Sequence, residues 1–252
     1  MTLQTMQWHE RVTLQYSPDD YRRTSLIDLV KPWVVGKRVL DMRCLTGHLA
    51  VSLAENGFNV TALDGYEEAV KMTNGLARER GILGEVAQHW DLTGLVNRVG
   101  VNEFDTVLCL DVLNHVPDDK TTVSEISRAL KPGGRLIVAA PALPFLLGKR
   151  DHVMGHLRRY TKSSLIKLLE AHGLKVKSIR YWNFIALPVY VLIETVFKRQ
   201  ISDTLRYGRS KEGDSLMNRI LRWWFKTVEN KVPFPLGVSF VVIAEKNGSS
   251  DQ

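Results

Sequence analysis

The sequence predicts an α/β domain built on a largely parallel sheet buried on both faces. Between residues 38 and 141, short apolar runs alternate with helical patterns of ten or more residues, the rhythm of strand–helix–strand units. Runs such as FDTVLCLD and RLIVAAP are almost continuously apolar, as expected of strands covered on both sides. With 252 residues, 44% hydrophobic and 24% charged, the chain has material for one full core plus an elaboration.

The elements follow in order. Residues 1 to about 23 are polar and aromatic and read as a short helix and loop able to fold over a site. SLIDLVKPWV, from Ser25, has an amphipathic pattern. KRVLDM is the first strand, and HLAVSLAENG is a helix closed by Gly57. NVTALD, EVAQHW and FDTVLCLD are the next strands, with the helix YEEAVKMTNGLARERG between the first two. TTVSEISRALKPGG reads as a helix stopped at Pro132-Gly133-Gly134, followed by the strand RLIVAAP. SSLIKLLEAHG is another helix and KVKSIRYW a strand. Residues 183–237 are mixed and largely helical, VSFVVIAEK is a last strand, and the tail 247–252 reads as disordered.

The charge is unevenly placed. Residues 1–144 carry 15 Lys/Arg and 18 Asp/Glu, net −3; residues 145–252 carry 19 and 9, net +10, giving the overall +7. The basic part suits an anionic partner or a solvated surface. Nucleic acid is not expected, since no DNA or RNA motif accompanies the charge. Cys44 and Cys109 fall beside buried strand ends and no secretory leader pattern is seen, which predicts a reducing, cytoplasmic setting. No Cys/His cluster has zinc spacing, so no metal is expected.

In an open parallel sheet the ligand lies outside the carboxyl ends of the strands. Those ends carry Asp41–Gly47, Asp64, Asp91 and Cys109–His115. Asp64 follows Asp41 at the spacing of an acid that accepts hydrogen bonds from ribose hydroxyls. Asp91 stands where a polar group could meet an adenine amino group, with Trp90 beside it to stack or pack.

VLDMRCLTGHLA, VTALDGYEEAV, FDTVLCLDVLNHVPD and LKPGGRLIVAAP, in that order, resemble the successive motifs of class I S-adenosylmethionine-dependent methyltransferases. The resemblance covers roughly Arg38 to Pro141, with late strands near 176–182 and 238–245. It implies a Rossmann-like, seven-stranded, mostly parallel sheet with helices on both faces, a reversed last strand and a largely helical insertion before it. It divides the chain into an N-terminal lid (1–37), a cofactor-binding core (38–145), a rim and sixth strand (146–182), a helical cap (183–237) and the last strand (238–246). It implies S-adenosyl-L-methionine as cofactor. Asp41, Arg43, Leu45 and Gly47 would line the methionine end. Asp64 and Gly65 would face the ribose, and Asp91 and Leu92 the adenine. The backbone around Cys109 and Leu110, with Asp111, would face the amino group, and His115 would border the site.

DHVMGHLRRYTKSSLIKLLEAHGLKVKSIRYWNFIALP resembles a downstream signature of a methyltransferase subgroup found beside glycosyltransferases, which implies lipid-linked or envelope saccharides as acceptors, within the broader expectation of a small-molecule or lipid-linked acceptor. His156, His115 and His152 are candidate bases, His156 first, because imidazole titrates near neutrality. Arg158 or Arg159 could hold an anionic group. Equally, Arg159 and Tyr160 could anchor the next helix, with Thr161 as its N-cap. Trp8, Tyr16, Tyr160 and Trp182 complete the candidate substrate contacts.

Two residues depart from the family pattern. Arg43 and Leu45 stand where glycine is expected, and both should weaken cofactor binding unless the side chains turn away. Three functions stay open: methyl transfer, non-methylating catalysis in the same pocket, and a non-catalytic partner subunit. LMNRILRWWFKTVENKV sets Arg219, Arg222 and Lys226 at helical spacing around Trp223, Trp224 and Phe225. It suits a substrate cap, peripheral contact with the inner face of a membrane, or packing in a core or homodimer.

Overall fold

The computed structural model describes residues 21–90, 93–192 and 216–248. Trp8, Tyr16, Asp91 and Leu92 lie outside the described residues, as do most of the N-terminal segment and part of the cap.

Seven strands form one sheet in the order β3-β2-β1-β4-β5-β7-β6. The strands are β1 (Arg38–Asp41), β2 (Asn59–Asp64), β3 (Ala87–His89), β4 (Phe104–Leu110), β5 (Leu130–Pro141), β6 (Leu174–Trp182) and β7 (Ser239–Lys246). β1 to β5 pair in parallel, and β7 runs antiparallel to both β5 and β6. The single reversed strand is the expected one. The order reverses between β1 and β4, which opens a crevice at their carboxyl ends.

The helices bury apolar stripes on both faces. α1 (Tyr21–Val30), α2 (His48–Glu55) and α3 (Glu67–Glu79) cover one face, with Val39, Ala62, Leu108 and Ile137 beneath them. α4 (Leu95–Val99) and α5 (Asp119–Ala129) cover the other, over Leu40, Leu63, Val107 and Leu136. The short α6 (Lys149–Val153) leads to α7 (Lys162–Glu170). Asp118 caps α5 by accepting from the Lys120 and Thr121 N–H groups. Thr161 caps α7 in a reciprocal box with Ser164, the outcome in which this segment anchors the helix.

Several boundaries differ from the expected ones. α5 ends at Ala129 rather than at Pro132-Gly133-Gly134, and Leu130 already pairs with Phe104. Lys131 precedes a proline, which disfavours helical backbone, and the register of β4 on β5 shifts between Phe104 and Thr106. β3 covers only Ala87–His89 of the expected strand EVAQHW.

Of the cap, α8 (Ala186–Tyr190), α9 (Leu216–Trp224) and a π-helical turn (Phe225–Glu229) are described. The aromatic run splits across this helix. Phe225 is fully buried against Trp182, Trp224 packs on the core, and Trp223 is 60% exposed. No helix among the described residues is long and apolar enough to cross a membrane.

Candidate active site

The loop after β1 is folded by its own backbone. The Met42 N–H donates to the Leu108 carbonyl and the Cys44 N–H to the Leu63 carbonyl, tying the loop between β4 and β2. Leu45 and Gly47 both adopt left-handed backbone, with φ of 52° and 76°. A Cβ on Gly47 would sit 2.8 Å from the Thr73 Cα, so glycine is needed there on two counts. Arg43 has ordinary backbone and needs no glycine. The left-handed turn aims the Leu45 N–H at Asp64 Oδ2, 2.9 Å away, and the Tyr66 N–H reaches Asp64 Oδ1 at 3.1 Å. A carboxylate has about four acceptor positions, so Asp64 keeps capacity for the hydroxyls of a ribose. Gly65 lets the following backbone run close to the Trp90 carbonyl.

A cleft opens outside β1, β4 and β5. Its floor includes Asp41, Arg43, Leu45, Leu110, Asp111 and Pro141. α1 contributes Arg22, Arg23, Leu26 and Ile27, and His115, Met154, His156, Arg159, Trp182 and Tyr190 add to the lining. Asp41 is buried and its Oδ2 has no hydrogen-bond partner among the described residues. Burial pushes its carboxyl up to about 6, against the pull of the Arg23 guanidinium. Burial also raises Asp64, opposed first by Arg43. Arg23 donates to the Cys44 carbonyl at 2.8 Å, which seats α1 over the loop.

Arg43 reaches across the crevice. Its Nη1 donates to the Asp111 carbonyl at 3.0 Å and lies 3.0 Å from His115 Nε2. A guanidinium only donates, so His115 Nε2 is the acceptor and its proton sits on Nδ1. The His115 ring meets the His156 ring edge-on, centroids 4.8 Å apart. His156 Nδ1 is 2.9 Å from Asp151 Oδ1, and Arg159 Nε lies 3.0 Å from both oxygens of the same carboxylate. Burial would raise Asp151, but the His156 hydrogen bond and the Arg159 charge hold it at about 2. It is therefore ionised and accepts the Nδ1 proton of His156. Burial lowers His156 below the ordinary imidazole value, against the Asp151 hydrogen bond, so the ring is neutral near pH 7 with Nε2 as its acceptor.

Not every expected residue faces the cleft. His152 is exposed on α6 and does not line the cleft, so the structure does not support it as a base. Arg158 is spent on scaffolding: it donates to the carbonyls of Leu113, Val116 and Pro117. The Tyr160 hydroxyl is buried between the Leu113 carbonyl and Asp119 Oδ2, at 3.1 and 2.8 Å. Both tie the segment after β5 to the turn after β4 and do not offer a substrate contact. The Cys109 thiol lies in the core, where burial pushes it well up, and Gly47 supports the loop without lining the cleft. Trp182 edges the cleft while its Nε1 donates to Asn230 Oδ1 at 3.1 Å. Asp151, Arg22 and Arg23 join the site without having been expected there. The signal for Asp151 was present, an acid opening the His- and Arg-rich stretch DHVMGHLRRY.

The residues fit S-adenosylmethionine as the resemblance implies. Asp41 Oδ2, without a partner among the described residues, suits a cationic donor such as an ammonium, and Asp64 stands at the tip of β2 where a ribose would sit.

The methyltransferase domain family matches residues 19–179. A ubiquinone biosynthesis O-methyltransferase of Idiomarina loihiensis is 33% identical over 172 residues, 63% of this chain and 70% of that protein. Alignments to further proteins of that description span between 42% and 65% of their length. Among solved structures, the [4+2]-cyclase SpnF superposes with a TM-score of 0.58 at 22% identity, covering 91% of this chain and 81% of that one. A geranyl diphosphate methyltransferase, solved with its diphosphate and sinefungin, gives 0.59 at 15% identity, covering 87% and 74%. These last two likenesses show the fold. With the motifs in order along the sheet and the family match spanning most of the chain, the protein belongs to the class I S-adenosylmethionine-dependent methyltransferases.

Proposed function

We propose that this chain methylates a hydroxyl group on a small, largely apolar acceptor, with His156 taking the hydroxyl proton. The observation that carries the reading is the buried Asp151–His156 pair, whose imidazole lines the same cleft as Asp41. The description of the relative as an O-methyltransferase agrees with an oxygen acceptor. When bound, S-adenosylmethionine supplies a methyl group on a sulfonium, which needs an electron-rich oxygen in line with it. Asp64 would hold its ribose and Asp41 its ammonium. His156 Nε2 would accept the proton as the oxygen attacks. Leu26, Ile27, Met154 and Trp182 keep water from the acceptor and favour an apolar body.

Radiolabelled methyl transfer to a panel of phenols and catechols, with and without isoprenoid tails, tests this. Turnover should require an open hydroxyl and vanish with the corresponding methyl ether. Methylation of amines or carbon acceptors alone would sink the reading. A second reading, non-methylating catalysis in the same pocket, is favoured by Arg43 lying across the crevice. It expects no S-adenosylhomocysteine from any acceptor.

Peripheral membrane contact is the accompanying proposal. α9 and the turn after it carry Leu216, Arg219, Ile220, Trp223 and Lys226 on one exposed face. A basic, apolar stripe of that kind suits an anionic bilayer surface, from which a lipid-linked acceptor would be drawn.

A further inference from the structure

We propose that Asp151 is the positioning residue of the transfer reaction: clamped by Arg159, it fixes His156 as the tautomer whose Nε2 faces the cleft as a proton acceptor. The inference rests on the O-methylation reading above.

Three observations carry it. First, the Asp151 carboxylate is saturated. Oδ1 and Oδ2 take the Arg159 fork, Oδ1 also takes His156 Nδ1, and Oδ2 takes the Gly148 N–H at 3.1 Å. At 1% exposure it has no room to rotate. Second, the clamp is itself held. Arg159 donates to the Ala142 carbonyl at the end of β5 and lies over the Tyr190 ring, 5.6 Å from its centroid. The His156 N–H also donates to the Asp151 carbonyl at 2.7 Å, which fixes the turn between them. The carboxylate thus transmits the rigid end of the sheet to the imidazole. Third, the arrangement exceeds what packing needs. A buried Arg–Asp pair replaced by apolar side chains of similar size is often no less stable. Here a third group is added, and its other nitrogen belongs to a residue of the cleft wall.

The remaining groups around His156 select it over its neighbour. The His115 ring packs edge-on, the Asp111 charge favours a cationic imidazole, and Arg159 opposes one. His115 has its Nε2 engaged by Arg43. A carboxylate that cannot move and cannot protonate near neutrality leaves His156 a single tautomer, which is the requirement for a base that must accept at Nε2.

The test is ¹⁵N NMR of histidine-labelled protein at pH 7.5, joined to kinetics. In the unaltered protein the His156 signals should show a protonated Nδ1 and an unprotonated Nε2; the opposite tautomer would overturn the proposal without any variant. In Asp151→Asn the tautomer should become mixed and kcat should fall about 100-fold or more. Affinity for S-adenosylmethionine, read by calorimetry, should stay within about threefold. Asp151→Glu should recover part of the lost kcat. If His156→Ala keeps full turnover, the base assignment itself fails. If His156→Ala is inactive while Asp151→Asn turns over normally, only the positioning role fails. Should Asp151→Asn not fold, the tautomer of the unaltered protein still decides.

Discussion

Arg43 and His115 meet across the mouth of the crevice between β1 and β4, with Nη1 3.0 Å from Nε2. The guanidinium adds a positive charge where a sulfonium and an ammonium must approach, and it is held by displaceable partners, a carbonyl and an imidazole. Arg43→Ala should therefore tighten S-adenosylmethionine binding by about 3- to 10-fold, as removal of a nearby like charge does at a partly screened site. Calorimetry reads it. Weaker binding would instead make Arg43 the anchor of the cofactor's carboxylate.

Gly47 predicts a stability effect. Its φ of 76° disfavours any side chain, and a methyl group there would meet the Thr73 Cα at 2.8 Å. Gly47→Ala should cost about 2–4 kcal/mol in urea unfolding, combining backbone strain with a backbone clash. Gly57→Ala is the control: φ is 79° but nothing lies within 4 Å, so the cost should be about 1 kcal/mol. Equal losses would refute the clash.

His156 and His115 separate in kinetics. His156→Ala should lower kcat by about 10²- to 10⁴-fold. His115→Ala should lower it less than about tenfold, because its Nε2 already accepts from Arg43. The acid limb of kcat in the unaltered protein should fall below the ordinary imidazole value of 6.5, since burial disfavours the charged ring. A limb at or above that value would point to another base.

The sequence revealed the frame and the acids on it, because both obey local rules. Strand runs ending in Asp41 and Asp64 are visible as short apolar patterns, and Thr161 announces a helix start. What stayed hidden depends on tertiary closure. Asp151 becomes a clamp only when Arg159 and His156 fold back on it. Arg43 crosses the crevice only because Asp111 and His115 stand there. Arg158 and Tyr160 have the chemistry of rim residues, yet they are consumed by Asp119 and the carbonyls of Leu113, Val116 and Pro117. Trp223 and Trp224 are neighbours in sequence with different exposures, a distinction that needs the orientation of α9 and not its composition.

Asp41 predicts opposite responses of stability and binding to pH. Its carboxyl titrates at about 6 in the folded protein against 3.8 ordinarily. The folded state holds this proton more tightly than the unfolded chain. Ionisation thus costs stability progressively as pH rises from about 4 to about 6, on the order of 2–3 kcal/mol at the plateau. Asp41→Asn should stabilise the ligand-free protein at pH 7.5 and change it little below pH 4. Affinity for cationic S-adenosylmethionine should strengthen as pH rises through about 6, and that slope should vanish in Asp41→Asn. Urea titrations and calorimetry across pH 4–8 check both; a flat binding profile in the unaltered protein would remove Asp41 from the cofactor site.

The exposed face of α9 gives the last expectation. Leu216 and Trp223 are 72% and 60% exposed, and Ile220 lies between them on the same stripe with Arg219 and Lys226. The other side of the helix is fixed by Leu221 and Trp224 against the core, so the stripe cannot turn inward without unpacking them. Apolar side chains would enter the interface while the arginine and lysine stay among anionic headgroups. Sedimentation with vesicles of phosphatidylglycerol and phosphatidylcholine should pellet the protein at low salt. Because each basic contact near a charged surface contributes about 1 kcal/mol, Arg219→Gln with Lys226→Gln should weaken binding at low salt by about tenfold or more. Ile220→Ser with Trp223→Ser should abolish the part that survives high salt, where charge attraction is screened. Protein that stays in the supernatant with anionic vesicles at low salt would leave α9 without a membrane role.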